Sequence, residues 1–171
     1  IGMFLPEVIG LGSETISNII TTIHPIQFLL LLLILKIFLS SLCIGFGLFG
    51  GVLSPAMLIG VCCGAIIYNL SFFGDNESLN AILAISGMAA VSSSVIGAPI
   101  TAIILVFELT GSYNYAIASI FPIALSNLIT YLMFGLSFFD AQLKSRNINI
   151  DFGREHFLME RTKISEFVNK D

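Results

Sequence analysis

Residues 45–64 read GFGLFGGVLSPAMLIGVCCG, a strongly apolar stretch that nevertheless holds six glycines, Gly45, Gly47, Gly50, Gly51, Gly60 and Gly64. Within it, Leu53-Ser54-Pro55 has the chemistry of a turn running into a helix start. An uninterrupted membrane helix has no use for such a break. A helix that stops and restarts inside the bilayer does, because its first-turn N–H groups lack intrahelical partners and must face something they can bind.

The rest of the chain explains why the bilayer is the setting. Of 171 residues 56% are hydrophobic and 11% charged, against roughly 25% charged in soluble domains, and the mean hydropathy is +0.98. Between Ile26 and Leu136 only Lys36, Asp75, Glu77 and Glu108 carry charge, whereas Lys144, Arg146, Arg154, Arg161, Lys163 and Lys170 follow Ser137. The positive-inside rule puts that C-terminal side in the cytoplasm. These bases alternate with acids and the net charge is −4, so nucleic acid is not a partner. No phosphate loop, catalytic triad or metal-ligand cluster appears. An enzyme is not expected, and neither is a cofactor. Cys43, Cys62 and Cys63 lie in apolar runs and read as small buried hydrophobes. The chain opens on Ile1 without a charged leader and reads as a piece of a longer protein.

In chain order, Ser13 or Thr15 caps a short helix ending near Ile23. Pro25 then opens a span over residues 26–44. Lys36 interrupts it at a cost of about 2.5–3.5 kcal/mol unless the side chain faces protein or water. Two readings stand for it, a packed or snorkelling side chain and one facing a hydrated vestibule. A second apolar run covers residues 55–73, where Gly60 and Gly64 have the small-xxx-small spacing that lets a neighbouring helix come close. Residues 79–91 form a half-span that Ser92-Ser93-Ser94 and Gly97-Ala98-Pro99 interrupt, and Ile100 to Leu109 resumes it. A full span covers residues 115–134, and a last short helix is expected over residues 137–144. His24 and His156 stand alone and read as structural or surface groups. Half-length, Gly/Pro-interrupted segments at membrane depth survive only beside protein or a hydrated cavity, which favours an ion or solute pathway.

With these residues in view, the sequence resembles the CLC family of chloride channels and proton-coupled chloride antiporters. Gly50-Gly51-Val52-Leu53-Ser54-Pro55 is similar to the family's G-x-F-x-P loop. Gly87-Met88-Ala89-Ala90-Val91, then Ala98-Pro99-Ile100-Thr101-Ala102, then Phe107-Glu108-Leu109-Thr110-Gly111 resemble its GMAA…APLTAI…FELTG block. Phe4 to Gly10 resembles the lead-in to this half, and Phe138 to Leu143 the start of the last membrane helix.

The resemblance implies an all-α membrane fold, the second inverted repeat of a CLC protein with tilted, broken and half-spanning helices plus the final C-terminal helix. Residues 1–146 would be membrane domain, and residues 147–171 a cytoplasmic linker towards a CBS-type domain. It implies chloride, or a similar small anion, as the transported species, with protons as a possible coupled ion. The anion would be held by the backbone N–H groups of Val52 and Leu53, supported by Gly50 and Gly51 at the turn, Ser54 as N-cap and Pro55 in the first turn. Leu53 replaces the family's usual Phe, which matters little to a backbone contact. Phe139 stands where many members carry a Tyr whose hydroxyl donates to the central chloride, and this implies a weaker site and looser coupling. Glu108 reads as a structural anchor satisfied by Thr110, Ser112 or Tyr113, since the family's gating and proton glutamates belong to the first repeat. Ile100 to Leu109 and Tyr115 to Thr130 match the helices of the family's homodimer interface. Other expected partners are the lipid bilayer and the N-terminal half of the same protein. The rival reading is a non-conducting half-subunit or degenerate fragment.

Overall fold

The computed structural model describes residues 12–46, 51–71 and 76–135, together with Ser137 and Phe139. Its elements are α1 (Ser13–Thr21), α2 (Ile26–Gly45), α3 (Leu53–Leu70), α4 (Glu77–Ile96), α5 (Pro99–Thr110) and α6 (Tyr113–Phe134). Four of these, α2, α3, α4 and α6, are long and apolar enough to cross a membrane. The 12 residues of α5 reach only about 18 Å at 1.5 Å per residue, short of the ~30 Å hydrocarbon core. The chain is an all-α, integral membrane protein.

Local chemistry sets most helix ends. Pro25, whose fixed φ suits the start of a helix, is the N-cap of α2. Gly97 (φ 76), Gly111 (φ 62) and Gly135 (φ 71) close α4, α5 and α6 in the left-handed conformation, with Pro99 at the first position of α5. At α1 the expectation fails: Gly12 (φ 71) is the N-cap and no side chain caps it, while Thr15 is buried in the helix.

The serine triplet is the larger correction. Ser92, Ser93 and Ser94 do not interrupt a half-span; α4 runs unbroken for 20 residues. Ser92 Oγ donates to Met88 O at 2.6 Å and Ser94 Oγ to Ala90 O at 3.0 Å. Bonding one turn back satisfies the hydroxyls inside the helix, which is how an apolar surrounding accommodates them. The break expected across residues 92–99 is confined to the Gly97 turn.

Helices α3 and α4 form the centre, with α2 packed on α3, α6 on α4, α5 beside α4 and α6, and α1 over α3 and α4. Over their apolar windows 44% of α3 and 56% of α4 is buried, against 17% of α2 and 11% of α6. Glycine lets the central pair meet backbone to backbone. A Cβ on Gly60 would stand 2.5 Å from Gly87 O and 2.7 Å from Met88 Cα, and one on Gly64 would run into Leu83 O and Ala84 Cα. The small-residue spacing therefore does what its pattern predicts, and the partner is α4. Polar bonds tie the outer helices on. Asn80 Nδ2, buried, donates to Ile19 O at 2.9 Å, and Asn127 Nδ2 on α6 donates to Ser93 Oγ on α4 at 2.6 Å.

Lys36 is 6% exposed, so its side chain is packed in protein and not open to a vestibule. Cys62 is buried, Cys63 half-buried and Cys43 exposed, all three as free thiols; the small-hydrophobe reading holds for the first two and not for Cys43. His24 is structural: its carbonyl accepts from Asn69 Nδ2 at 3.2 Å and its ring packs 5.4 Å from Phe28.

Candidate functional site

The candidate anion site is built on the start of α3. Val52 is the N-cap (φ −74, ψ −24), Leu53 the first helical residue, and no side chain caps this end. The first bond of the helix runs from Ala56 N–H to Val52 O at 3.2 Å. Pro55 has no N–H to offer. Helix geometry gives the N–H of Leu53 no carbonyl one turn back within α3, and the amide of Val52 precedes the helix altogether. Two backbone donors and the positive end of the helix dipole thus occupy one corner of an apolar protein, the kind of arrangement that can hold an anion without a fixed cation.

Ser54 is not the cap that the sequence suggests. It lies inside the first turn, because the helix begins two residues before Pro55, and proline is tolerated there where its missing N–H costs nothing. Gly51 is exposed, and a Cβ on it would meet nothing within 4 Å. The room beside the loop is open at this glycine. Val52, Leu53, Ser54 and Pro55 are half-buried and Ala56 is buried, so the helix is anchored one residue beyond its exposed start. Gly50 lies outside the described residues.

Phe139 stands beyond the Gly135 cap of α6 and is 40% exposed. The remainder of the expected last helix, the segment 4–10 and the linker after residue 146 lie outside the described residues. Glu108 is exposed at the end of α5. The anchoring expected for it is not found: Thr110 Oγ1 donates to Val106 O at 2.7 Å and accepts from Ser112 N–H at 3.4 Å, and Tyr113 stacks on Phe107 at 4.5 Å. The Thr110 hydroxyl is spent on the Gly111 turn. Among the described residues, no cluster of three metal-ligating side chains occurs.

The α5 and α6 segments matched to a subunit interface do present apolar faces. Ile100, Ile104 and Leu109 on α5, and Ile117, Phe121 and Leu128 on α6, are all exposed.

Sequence reasoning missed a polar seam between α4 and α6. Ser93 pairs with Asn127 and Ser94 with Ser126, and a cavity of about 360 Å³ opens beside them, bordered by Ser94, Gly97, Asn127, Thr130, Tyr131, Gly135 and Ser137. The signal was present, since Ser126, Asn127 and Thr130 fall on one helical face. A serine triplet followed by Gly97 and Pro99 has the pattern of a helix break, and that pattern hides the match between the α4 serines and this face.

Comparison with known proteins agrees with this architecture. The family described as voltage gated chloride channel matches residues 1–131. The chain is 28% identical over 165 residues to the H(+)/Cl(−) exchange transporter ClcA of Vibrio parahaemolyticus, covering 92% of the chain and 34% of the relative. It is 34% identical over 122 residues to the voltage-gated ClC-type chloride channel ClcB of Escherichia coli, covering 67% of the chain and 28% of the relative. A ClcA of Vibrio cholerae is 31% identical over 128 residues, 74% of the chain and 26% of the relative. The chain thus spans about a third or less of the curated relatives it matches. A family match over most of its length, falling on the helices just described, makes this chain a member of the CLC family of voltage-gated chloride channels.

Proposed function

We propose that this chain is the second half of a protein that carries chloride or a similar small anion across a membrane. The observation that carries the reading is the uncapped start of α3, where the Val52 and Leu53 amides are available to an anion. One wall of a site is present. A first half would supply the remaining donors and the acids that couple anion movement to protons. The printed names of the relatives, exchange transporter and chloride channel, support anion passage, and the first of them supports proton coupling. Two such subunits pair through the exposed apolar faces of α5 and α6, with one pathway each. The basic segment after residue 143 lies on the cytoplasmic side, and residues 147–171 lead towards a regulatory domain.

Chloride flux from liposomes tests this. Protein joining this chain to its first half is expected to release chloride, and a pH gradient is expected to drive that release if protons are coupled. The 171-residue chain by itself is expected to release none. Flux from the chain alone would overturn the account, because a pathway with one wall cannot exclude lipid or select an ion.

Phe139 sets the affinity of the central site in this reading. A phenyl ring cannot donate, and a hydrogen bond to a charged group contributes about 1.5–3 kcal/mol. Phe139→Tyr is expected to tighten chloride binding about tenfold or more, read by calorimetry on the complete protein. An unchanged affinity removes Phe139 from the site.

A further inference from the structure

Most of the hydroxyl and amide hydrogens that Ser94, Gly97, Asn127, Thr130 and Gly135 bring to the α4–α6 cavity are already committed. Ser94 Oγ donates to Ala90 O, and Thr130 Oγ1 donates to Ser126 O at 2.9 Å. Asn127 uses its Nδ2 group on Ser93 Oγ and on Ile123 O at 2.8 Å. The glycine amides are used as well, Gly97 N–H on Ser93 O and Gly135 N–H on Tyr131 O, each at 2.8 Å. What these groups leave over is acceptors: one lone pair on Ser94 Oγ, whose other accepts from Ser126 Oγ, the lone pairs of Thr130 Oγ1, and the amide oxygen of Asn127. Tyr131 is adaptable, since a phenol can turn in either its hydrogen or a lone pair.

The two glycines place the helix ends. Gly97 is the C-cap of α4 and Gly135 that of α6, and both border the cavity, so the two helices end beside it. Two helix C-termini bring two partial negative charges to one place. Few open donors, several open acceptors and two negative dipole ends disfavour a halide and favour a positive ion. Among the described residues that border it, none carries a carboxylate, and a divalent ion is served best by carboxylates. Neutral carbonyl, amide and hydroxyl oxygens suit a monovalent one, and the volume has room for such an ion with part of its water.

We propose that the cavity between the C-termini of α4 and α6 is a binding site for a small monovalent metal cation, sodium or potassium, with Asn127, Thr130 and Ser94 as side-chain oxygen ligands. The site is separate in kind from the anion-binding amides of α3, and it does not depend on that reading. A bound cation there would brace α4 against α6 by bridging the two helix ends.

The test is thermal unfolding of the purified full-length protein in detergent, at equal concentrations of NaCl, KCl or N-methyl-D-glucamine chloride. Chloride is constant across the three, so the anion site contributes equally. Sodium or potassium is expected to raise the melting temperature by about 2–4 °C over the bulky organic cation. Thr130→Val, which keeps the shape and removes the oxygen, is expected to abolish the rise. Asn127→Leu is a second variant with the same expectation, and binding of radioactive sodium or rubidium gives a reading independent of unfolding. Equal melting in all three salts without bound radioactivity overturns the proposal, and the cavity then holds only water. A cation effect that survives both substitutions also overturns it, by placing the ion elsewhere.

Discussion

Gly64→Leu is expected to yield no folded protein, and Gly64→Ala to cost about 2–3 kcal/mol. A Cβ at this position would collide with Leu83 O and stand 2.7 Å from both Ala84 Cα and the carbonyl carbon of Leu83. These are backbone atoms of α4 and cannot swing aside as the end of a side chain would. The helices must separate instead, and they do so where burial is greatest, because α3 and α4 form the centre of the fold. Loss of close packing matters more in a bilayer than in water, since lipid tails are as apolar as the side chains they would replace. Propensity runs the other way: alanine is about 1 kcal/mol better than glycine in a helix, so a net loss isolates the collision. Gly45 at the end of α2 is the control, because a Cβ there meets nothing within 4 Å; Gly45→Ala is expected to be neutral or slightly stabilising. Gly60→Ala combined with Gly64→Ala is expected to cost less than the sum, as helices already parted by one methyl make room for the other. Unfolding titrations in mixed detergent measure all four. A Gly64→Ala variant as stable as the parent protein would show that α3 and α4 are not in backbone contact.

Val52→Pro is expected to weaken chloride binding about tenfold or more while leaving the fold intact. The backbone of Val52 has φ −74, inside the range that proline adopts. The substitution therefore removes one N–H and changes little else. The residue before a proline is also restricted, but here it is Gly51, which is exposed with open space around it. A donor lost to a charged acceptor is worth about 1.5–3 kcal/mol, which sets the size of the effect. Val52→Leu keeps the N–H and is expected to bind as the parent protein does. Calorimetry on the complete protein compares the two. Equal affinities for Val52→Pro and Val52→Leu would remove this amide from the site, and a loss of helix content in Val52→Pro alone would show the helix start to be more constrained than its dihedrals suggest.

Both outcomes concern features that differ in how far the linear sequence exposes them. The candidate amides were legible because a helix start inside an apolar stretch leaves its mark locally, in Gly51, Leu53 and Pro55. The cap was not legible there: Ser54 has the right chemistry, but helix entry at Val52 carries it past the capping position. The anchor expected for Glu108 failed for a similar reason. Thr110 is close in sequence, yet its hydroxyl found a better acceptor in Val106 O one turn back.

What the sequence determined by itself is whatever a few neighbouring residues decide. Composition made the chain a membrane protein, and Pro25, Gly97, Gly111 and Gly135 ended or began helices through their own backbone preferences. The family blocks located the chain within a known architecture. Only the tertiary structure decided which helix Gly60 and Gly64 admit, that Ser92 to Ser94 stay helical, and that Asn127 meets Ser93 across 34 residues of chain. Each of these turns on a partner distant in sequence. A serine hydroxyl reads alike in a loop and in a packed helix until the acceptor of its hydrogen is known, and that acceptor is chosen by packing.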